Sequence, residues 1–516
     1  MKYLGVDIGG TKCAVSVADE TGRILNKEVF ETAGPDETLA LLLDAGRVLL
    51  KGDPVKAVGI SCGSPQDSAR GLILEPPNLP GWKEVPVTEI FSKAFGAPAY
   101  LMNDANACAL AEWKFGAGKG TKNMIFLTFG TGLGAGVILD GKLYEGTSDS
   151  AGETGHIRLA EDGPVGYGKA GSFEGFCSGG GLAKLGQIYA KKALSEGKPA
   201  AYCPTEADLP GVTAKSIALA AKAGDETAKE VYRACGRRFG QGLSVLIDLF
   251  NPEVIVAGSI YARSGDLLQE EMERVIREEA LPQNASVCRI LPAALGESLG
   301  DVAAVTVAMI REEADSLFGR YPALEACRAD IDRASEILIE AAKADKLILV
   351  AGNGGSAADS EHIVGELMKG FRKKRPVSEE AKTAWKERFG EEMPALQEAV
   401  RAISLPSQIA ILSAFANDVN AEDAYAELAY GYAREGDVLI AISTSGNAKN
   451  CAAAAKAALL RGAKVIALTG ERESTLSKLA TVTIRVPETE TYKVQEYHLP
   501  VYHELCLRVE NALFEK

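Results

Sequence analysis

The chain has 516 residues, of which 47% are hydrophobic and 24% are charged, a composition typical of a globular protein with two or three domains. Its formal net charge of −14 argues against binding to nucleic acid or to an anionic membrane surface. No apolar run approaches the roughly 18 residues of a membrane span, and because the first predicted strand starts at Lys2 we expect no signal peptide. The ten scattered cysteines include no Cys-x-x-Cys pair, which indicates reduced thiols. We therefore expect a cytoplasmic protein with neither membrane nor nucleic-acid partners.

Two similar glycine turns occur in the first half of the chain. Apolar alternation breaks at Asp7-Ile-Gly-Gly-Thr-Lys12 and then resumes, which predicts a hairpin with a glycine turn. A second such hairpin is predicted around Thr128-Phe-Gly-Thr-Gly-Leu-Gly134. Backbone N–H groups converge on phosphate oxygens most easily where no Cβ intervenes. A single Gly-Gly turn would favour an ordinary β-turn, but the repeat predicts two related lobes that face one nucleotide.

A carboxylate lies between these turns in the sequence. Asn103-Asp104 follows a predicted strand and precedes a predicted helix at 105–115, so the pair fits a helix N-cap. It fits a general base equally well, because an alcohol that attacks a γ-phosphoryl group must lose its proton. The nearby loop Glu75–Trp82 leaves two alternatives open: a proline-stiffened connection, or a sugar-binding rim to which Asn78 contributes.

Together with Gly152-Glu-Thr-Gly-His156, these motifs resemble the ROK family of sugar kinases, which has the actin-like (RNase H-like) two-lobed ATPase fold. The resemblance spans about residues 1–312, with lobes at about 1–112 plus 297–312 and at 113–296. It implies that Asp104 is the general base and that ATP and Mg²⁺ bind at the glycine turns. The implied nucleotide-binding residues are Asp7, Gly9, Gly10, Thr11, Lys12, Thr131, Gly132 and Gly258. The implied sugar-binding residues are Asn78, Asn103, Glu153, His156 and Glu174.

The sequence departs from the ROK pattern in two places. Most ROK kinases have a zinc knuckle with three thiolates after the Gly-His pair, but the corresponding stretch here, Val165–Glu174, has no cysteine. Because His156 alone cannot hold a tetrahedral zinc ion, we expect no zinc knuckle in this domain and expect Tyr167 and Phe173 to pack in its place. The second departure is Ser259, which replaces the usual second glycine of the turn that flanks the adenosine.

The second half contains strand, polar loop and helix in succession, twice. Predicted strands lead into Gly352-Asn-Gly-Gly-Ser356 and into Ser443-Thr-Ser-Gly-Asn447, and such loops bind anions through free N–H groups. The hydroxyls favour a phosphate monoester over a dinucleotide. His362 and Glu366 share one predicted helix face, as do Gln495 and His503 on another. These four form a plausible set for one divalent metal, although such pairs are also common on solvated helices.

This half resembles an SIS-type phosphosugar isomerase domain of the phosphoheptose (sedoheptulose 7-phosphate) isomerase kind, a doubly wound parallel α/β sandwich. The resemblance implies that Glu366 and His503 transfer a proton between C1 and C2. The implied phosphosugar-binding residues are Asn353, Ser356, Asp418, Ser443, Thr444 and Ser445. The implied ligands of Zn²⁺, or of a similar divalent metal, are His362, Glu366, Gln495 and His503. We expect the basic run Arg372–Arg375 in the long connection 371–405 to be a solvated helix end.

The sequence therefore predicts a bifunctional enzyme, with a sugar kinase at 1–312, a linker at 313–320 and a phosphosugar isomerase at 321–516. The economical hypothesis is consecutive action, in which the kinase product feeds the isomerase. One alternative is a kinase whose SIS domain only binds a phosphosugar and regulates; another keeps both enzymes in the reverse order, with sedoheptulose 7-phosphate isomerised first and then phosphorylated. Because SIS domains of this type build their sites across subunits, we expect a homodimer or homotetramer.

Overall fold

A computed structural model describes residues 1–514, and its contacts divide the chain into two compact units, Met1–Glu312 and Glu313–Lys516. Each unit has its own buried hydrophobic core. Within residues 1–514, no helix has the length and apolar content that crossing a membrane would require.

The first unit contains two five-stranded sheets with the same topology. In each sheet, three strands form an antiparallel meander, a fourth strand pairs in parallel with the meander's edge strand, and a fifth pairs in parallel with the fourth. In spatial order, the first sheet consists of Ile24–Glu31, Lys12–Ala18, Lys2–Ile8, Val55–Cys62 and Ala99–Asn103. The second consists of Lys142–Leu143, Ala135–Leu139, Met124–Leu127, Val254–Ala257 and Arg289–Pro292. The shared topology confirms the duplication that the two glycine hairpins predicted.

Helices cover both faces of these sheets. On the first sheet, Leu4, Val6 and Ile8 pack in one core, and the other face receives the helix Leu299–Asp315. A side chain at Gly59 would lie 2.0 Å from the carbonyl oxygen of Ala304, so glycine permits this close approach. The helices of this unit are Pro35–Leu50, Val87–Phe95, Asp104–Phe115, Phe173–Phe176, Gly179–Ser195, Ala214–Lys222, Glu226–Phe250, Ile260–Ser264, Gln269–Glu279, Pro282–Ala285 and Leu299–Asp315.

The second unit has a parallel five-stranded sheet between two helical layers. Successive strand residues enter opposite cores, as Val350 and Leu349 show, because side chains alternate along a strand. In spatial order the strands are Ala402–Ser404, Ile348–Ala351, Val438–Ile442, Lys464–Thr469 and Val482–Arg485. The helices are Leu317–Arg320, Arg328–Lys343, Gly355–Met368, Glu379–Phe389, Ile409–Phe415, Ala424–Tyr432, Lys449–Leu460, Thr475–Leu479 and Thr491–Leu513. This is the doubly wound α/β sandwich that the sequence predicted.

The segment predicted as a linker, 313–320, is helical and packed. One helix continues to Asp315, and Leu317 and Phe318 are buried in the core of the second unit. Burial of these two apolar side chains stabilises a packed helix over an extended, solvent-exposed connection.

The prediction that the basic run Arg372–Arg375 is a solvated helix end is wrong for Arg375. Its guanidinium is fully buried against the carboxylate of Glu510, 2.8 Å away. It also donates to the carbonyl oxygens of Leu367 (2.7 Å) and Glu366 (3.1 Å). A buried charge needs such partners, and they lie too far along the chain for a local pattern to reveal them.

Two candidate active sites

Asp104 stands where the first sheet meets a helix. The strand Ala99–Asn103 ends and the helix Asp104–Phe115 begins at this point. The Asn103 side chain is the N-cap, accepting hydrogen bonds from the backbone N–H groups of Ala105 (2.9 Å) and Asn106 (3.2 Å). Asn103 also donates to the Ser64 hydroxyl at 2.9 Å. The Asp104 carboxylate accepts a hydrogen bond from the backbone N–H of Ala105 at 2.8 Å.

A crevice with little side-chain filling surrounds the Asp104 carboxylate. A side chain at Gly63 would lie 3.9 Å from an Asp104 carboxylate oxygen and 3.9 Å from the Asn78 side-chain oxygen. The Asp104 side chain is open to solvent, yet desolvation by the surrounding protein raises the pKa of its carboxyl. Desolvation, followed by the charge of Asp104, raises the pKa of Asp7 to about 6. The arrangement therefore offers a carboxylate that accepts a proton more readily than a free aspartate does.

The loop that carries Asn78 has features of both alternatives that the sequence left open. Its Leu79 and Trp82 are buried in the core, and Glu75 N–H donates to Trp82 O at 2.7 Å, so the loop is a fixed connection. Asn78 itself is exposed. A side chain at Gly10 would lie 2.6 Å from the Asn78 carbonyl oxygen, which places this loop directly against the first glycine turn.

Glu153 and Glu174 approach the same crevice from the second lobe. A carboxylate oxygen of Glu174 accepts the Leu133 N–H at 3.1 Å. Desolvation, and then the charges of Glu174 and Asp104, raises the pKa of Glu153. His156 ends the short 3₁₀ turn Thr154–His156 and is exposed. The structure thus brings Asp104, Asn78 and the two glutamates to one region, with His156 close in sequence to it.

Hydrogen bonds fix the shape of both glycine turns. The N–H of Gly9 donates to Lys12 O at 3.1 Å, and the Thr32 hydroxyl donates to Gly9 O at 2.6 Å. In the second turn Gly130 N–H donates to Gly132 O at 3.0 Å. Thr11, Lys12 and Thr131 are exposed, and Gly258 follows the strand Val254–Ala257.

The stretch that aligns with the zinc knuckle forms a small hairpin, Val165–Gly166 with Lys169–Ala170. Phe173 is fully buried, 6.0 Å from the ring of Phe239. Tyr167, which we expected to pack there as well, lies at the hairpin turn with φ 41° and is 76% exposed, and its ring meets that of His156 edge-on with the centroids 6.3 Å apart. A tight turn projects its side chain outward, and no alternation in the sequence indicates so short a hairpin.

In the second unit, the two anion-type loops follow neighbouring parallel strands. Ile348–Ala351 pairs with Val438–Ile442, so both loops lie at the carboxyl edge of the sheet, where ligands bind in such folds. Ser356 and Ser443 are buried, whereas Asn353 and Ser445 are exposed and Thr444 is half-buried. Asn353 is held by Asn450 through a reciprocal pair of amide hydrogen bonds, 2.9 and 2.8 Å long.

His362, Glu366 and His503 lie together on two packed helices. His362 Nε2 is 3.3 Å from a Glu366 carboxylate oxygen, and the rings of His362 and His503 are 5.0 Å apart. His503 Nε2 is buried without a hydrogen-bond partner. The Gln495 amide packs against Gly355, where a side chain would lie 2.4 Å from it. Within the described part of the chain, no group of three or more His, Cys, Asp or Glu residues already has the arrangement of a metal site.

Sequence reasoning missed Asp359 and Tyr502. The Tyr502 hydroxyl is 3.0 Å from His362 Nδ1 and donates to an Asp359 carboxylate oxygen at 3.2 Å. Asp359 lies three residues before His362, and Tyr502 directly precedes His503, so helical spacing offered a weak signal. Such outer contacts fix the orientation of an imidazole ring.

Asp418 is the residue that the structure does not bring into this group. It lies on an exposed π-helical turn, Ala416–Asn420, and accepts a hydrogen bond from Asn417 at 2.7 Å. The preceding helix, Ile409–Phe415, is largely apolar but contains no buried residue.

Comparisons with known proteins match both units. The sequence model of the ROK family matches residues 3–310, and that of the SIS domain matches residues 321–470. A glucokinase from Streptomyces coelicolor is 35% identical over 311 residues, which cover 59% of this chain and 96% of the relative. A phosphoheptose isomerase from Halorhodospira halophila is 35% identical over 203 residues, which cover 39% of this chain and 91% of the relative.

A solved structure extends the match to the fold of the first unit. The crystal structure of a ROK family glucokinase from Streptomyces griseus, in complex with glucose and AMPPNP, has 33% sequence identity and a TM-score of 0.51. The match covers 60% of this chain and 99% of that chain. The chain therefore belongs to the ROK family, with an actin-like sugar kinase domain at its N-terminus and an SIS domain related to phosphoheptose isomerases at its C-terminus.

Proposed function

We propose that the first unit phosphorylates a hydroxyl of a free sugar, with ATP as the phosphoryl donor and Asp104 as the general base. The main support is the Asp104 carboxylate, which is exposed to solvent, accepts a hydrogen bond from the Ala105 N–H and has a raised pKa. The glucokinase relatives support a hexose as the substrate class. Asn78, Asn103, Glu153, His156 and Glu174 would hold the other hydroxyls.

The nucleotide would bind between the two glycine turns. Thr11, Lys12 and Thr131 are exposed there and would contact phosphate oxygens together with the backbone of Gly9, Gly10 and Gly132. Gly258 would lie beside the adenosine. Asp7 is suited to bind Mg²⁺, because the space beside one of its carboxylate oxygens is free. Glycine at position 300 keeps it free, since a side chain there would lie 2.8 Å from that oxygen. Bound Mg²⁺ would offset the charge of the phosphates.

For the second unit, we propose interconversion of an aldose phosphate and a ketose phosphate. Glu366 and His503 would act as the acid/base pair. One would remove the proton from the carbon next to the carbonyl, and the other would donate a proton to the carbonyl oxygen and take one from the neighbouring hydroxyl. Glu366 is mostly shielded and His503 is half-buried, which favours defined proton transfer over exchange with bulk water. Ser356, Ser443, Thr444 and Ser445 would hold the phosphate, and Asn353 and Asp418 would contact the sugar.

The donor set of this unit fits Zn²⁺. His503 Nε2 is a buried nitrogen without a partner, and His362 and Glu366 lie beside it. Gln495 adds a neutral oxygen, and the Asp359–Tyr502 contact orients His362. When bound, zinc would polarise the sugar carbonyl. Elemental analysis of purified protein should give one zinc per chain, and His503→Asn should lower it.

An oligomer would complete the second site. The apolar helix Ile409–Phe415 has no buried residue, and Ile409 is 76% exposed. Exposed apolar surface of this kind marks an interaction site. A second copy of the chain that covers this helix would also approach the neighbouring Asp418. We therefore propose a homodimer or homotetramer, which light scattering can test.

The test of the function is product identification with purified wild-type protein. The kinase proposal requires ADP formation that depends on a free hexose, and that is lost in Asp104→Asn but retained in Asp44→Asn, an exposed control. The isomerase proposal requires an aldose phosphate to equilibrate with its ketose phosphate without ATP. If phosphosugar binds to the second unit but never isomerises, the domain is regulatory and the isomerase proposal fails.

A further inference from the structure

In the turn after the strand Val254–Ala257, one residue has an unusual backbone conformation. Ser259 has φ 46° and ψ −97°, which is a conformation that residues with a side chain rarely adopt. Such strained positions persist where the surroundings hold them, and they cluster at ligand sites.

Ser259 is held by its own side chain and by neighbouring backbone. Arg263 donates to the Ser259 hydroxyl from Nη2 (2.7 Å) and to the Ser259 carbonyl oxygen from Nε (3.3 Å). The flanking N–H groups of Gly258 and Ile260 donate to Leu127 O (2.9 Å) and Phe129 O (3.0 Å). The turn is thereby fixed to the segment that leads into the second glycine turn.

This places Arg263 next to the second glycine turn. A side chain at Gly130 would lie 3.8 Å from the Ser259 hydroxyl oxygen, and Arg263 Nη2 is hydrogen-bonded to that same oxygen. Arg263 is exposed, and no carboxylate within residues 1–514 forms an ion pair with it. A guanidinium has five N–H donors, so most remain available here, and its planar fork matches phosphate oxygens.

We propose that Arg263, anchored by the Ser259 hydroxyl, binds a phosphate of the nucleotide donor. A glycine at position 259 would relax the turn but could not anchor the guanidinium. Serine at this position therefore keeps a strained backbone, and its hydroxyl holds the Arg263 guanidinium beside the phosphate-binding turn. The inference rests on the proposed nucleotide site of the first unit and adds to it a residue that recognises phosphate and not adenosine.

The test is equilibrium binding of ATP, ADP and adenosine to the full chain by calorimetry, without sugar and with Mg²⁺. Arg263→Ala should weaken ATP and ADP binding about tenfold, the usual scale for one charge-assisted contact, and leave adenosine within about twofold. The control Arg277→Ala removes another exposed arginine of this unit, paired with Glu273, and should bind all three ligands like wild type.

Ser259→Gly separates binding from folding. It should weaken ATP binding about threefold through the lost anchor, while the melting temperature stays equal to that of wild type or rises, because the strain is relieved. Unchanged ATP binding in Arg263→Ala, or equal weakening of adenosine, would overturn the inference. Sugar-dependent ADP formation is measured separately. A wild-type protein that binds ATP but phosphorylates no sugar refutes the kinase proposal. The role of Arg263 in phosphate binding is then decided by the binding data alone.

Discussion

The two units gather their predicted site residues to different degrees. In the first, residues from both lobes meet at one crevice, and Asn103, Glu174 and Asp104 are each fixed by hydrogen bonds to backbone or side chains. In the second, Glu366 and His503, the proposed acid/base pair, both lie beside His362, but Asp418 lies on an exposed turn that follows an uncovered apolar helix. We infer that the first site is built within one chain, whereas the second is completed by another copy.

Loss of the kinase base is the largest effect we expect. Asp104→Asn keeps the side-chain volume but cannot accept the hydroxyl proton, so kcat for sugar phosphorylation should fall about 10³-fold, within the usual range for a general base. Isomerase activity of the same protein should stay at the wild-type level. Coupled ADP assays and phosphosugar assays on one preparation measure both. Parallel loss of the two activities would contradict the separation of the units.

The matching change in the second unit is Glu366→Gln. It should lower aldose–ketose interconversion about 10²- to 10³-fold and leave the kinase unchanged. The control Glu361→Gln changes a carboxylate on the same helix that accepts the Ser407 hydroxyl at 2.8 Å, and it should retain activity. Proton exchange at C2, followed by NMR in deuterium oxide, measures the proton transfer itself, and calorimetric binding of the phosphosugar to the same variant shows whether binding is retained.

Breaking the proposed oligomer should affect only the second site. Ile409→Asp places a charge on the apolar helix, and a buried unpaired charge is strongly disfavoured at an interface. The mass of the protein in solution should therefore fall, and isomerase activity should drop about tenfold or more. Leu460→Asp is the control, because Leu460 is 77% exposed and Ile409 is 76% exposed. A monomer with full isomerase activity would show that one chain suffices.

The smallest expected effect is on acid stability of the second unit. Burial lowers the pKa of His498 to about 4, below its unfolded value, so the folded state favours the neutral ring. The stabilisation is complete above the unfolded pKa and is lost as the pH falls from about 6.5 towards 4, on the order of 1–3 kcal/mol. His498→Leu should show a shallower loss over this range in urea unfolding. An unchanged pH slope would indicate that carboxylates dominate.

Local motifs carried the predictions furthest. The capped helix start at Asn103-Asp104 and the paired glycine hairpins are short-range patterns, and the structure forms them where the sequence indicated. The contact between Arg375 and Glu510 joins residues far apart in sequence, so no periodicity of the sequence predicts it. The exposure of Tyr167 depends on a six-residue hairpin too short to show alternation. The surroundings of Asp418 involve surface that a single chain leaves uncovered, so neither pattern nor spacing could predict them.

Consecutive action, in which one chain phosphorylates a sugar and then isomerises the product, can be tested by NMR of reaction mixtures. Wild type, Asp104→Asn and Glu366→Gln would each receive ATP, Mg²⁺ and a panel of free hexoses and heptoses. We expect aldose and ketose phosphates from one sugar with wild type, aldose phosphate alone with Glu366→Gln, and neither with Asp104→Asn. Aldose phosphate alone from wild type, for every sugar that is phosphorylated, would contradict consecutive action.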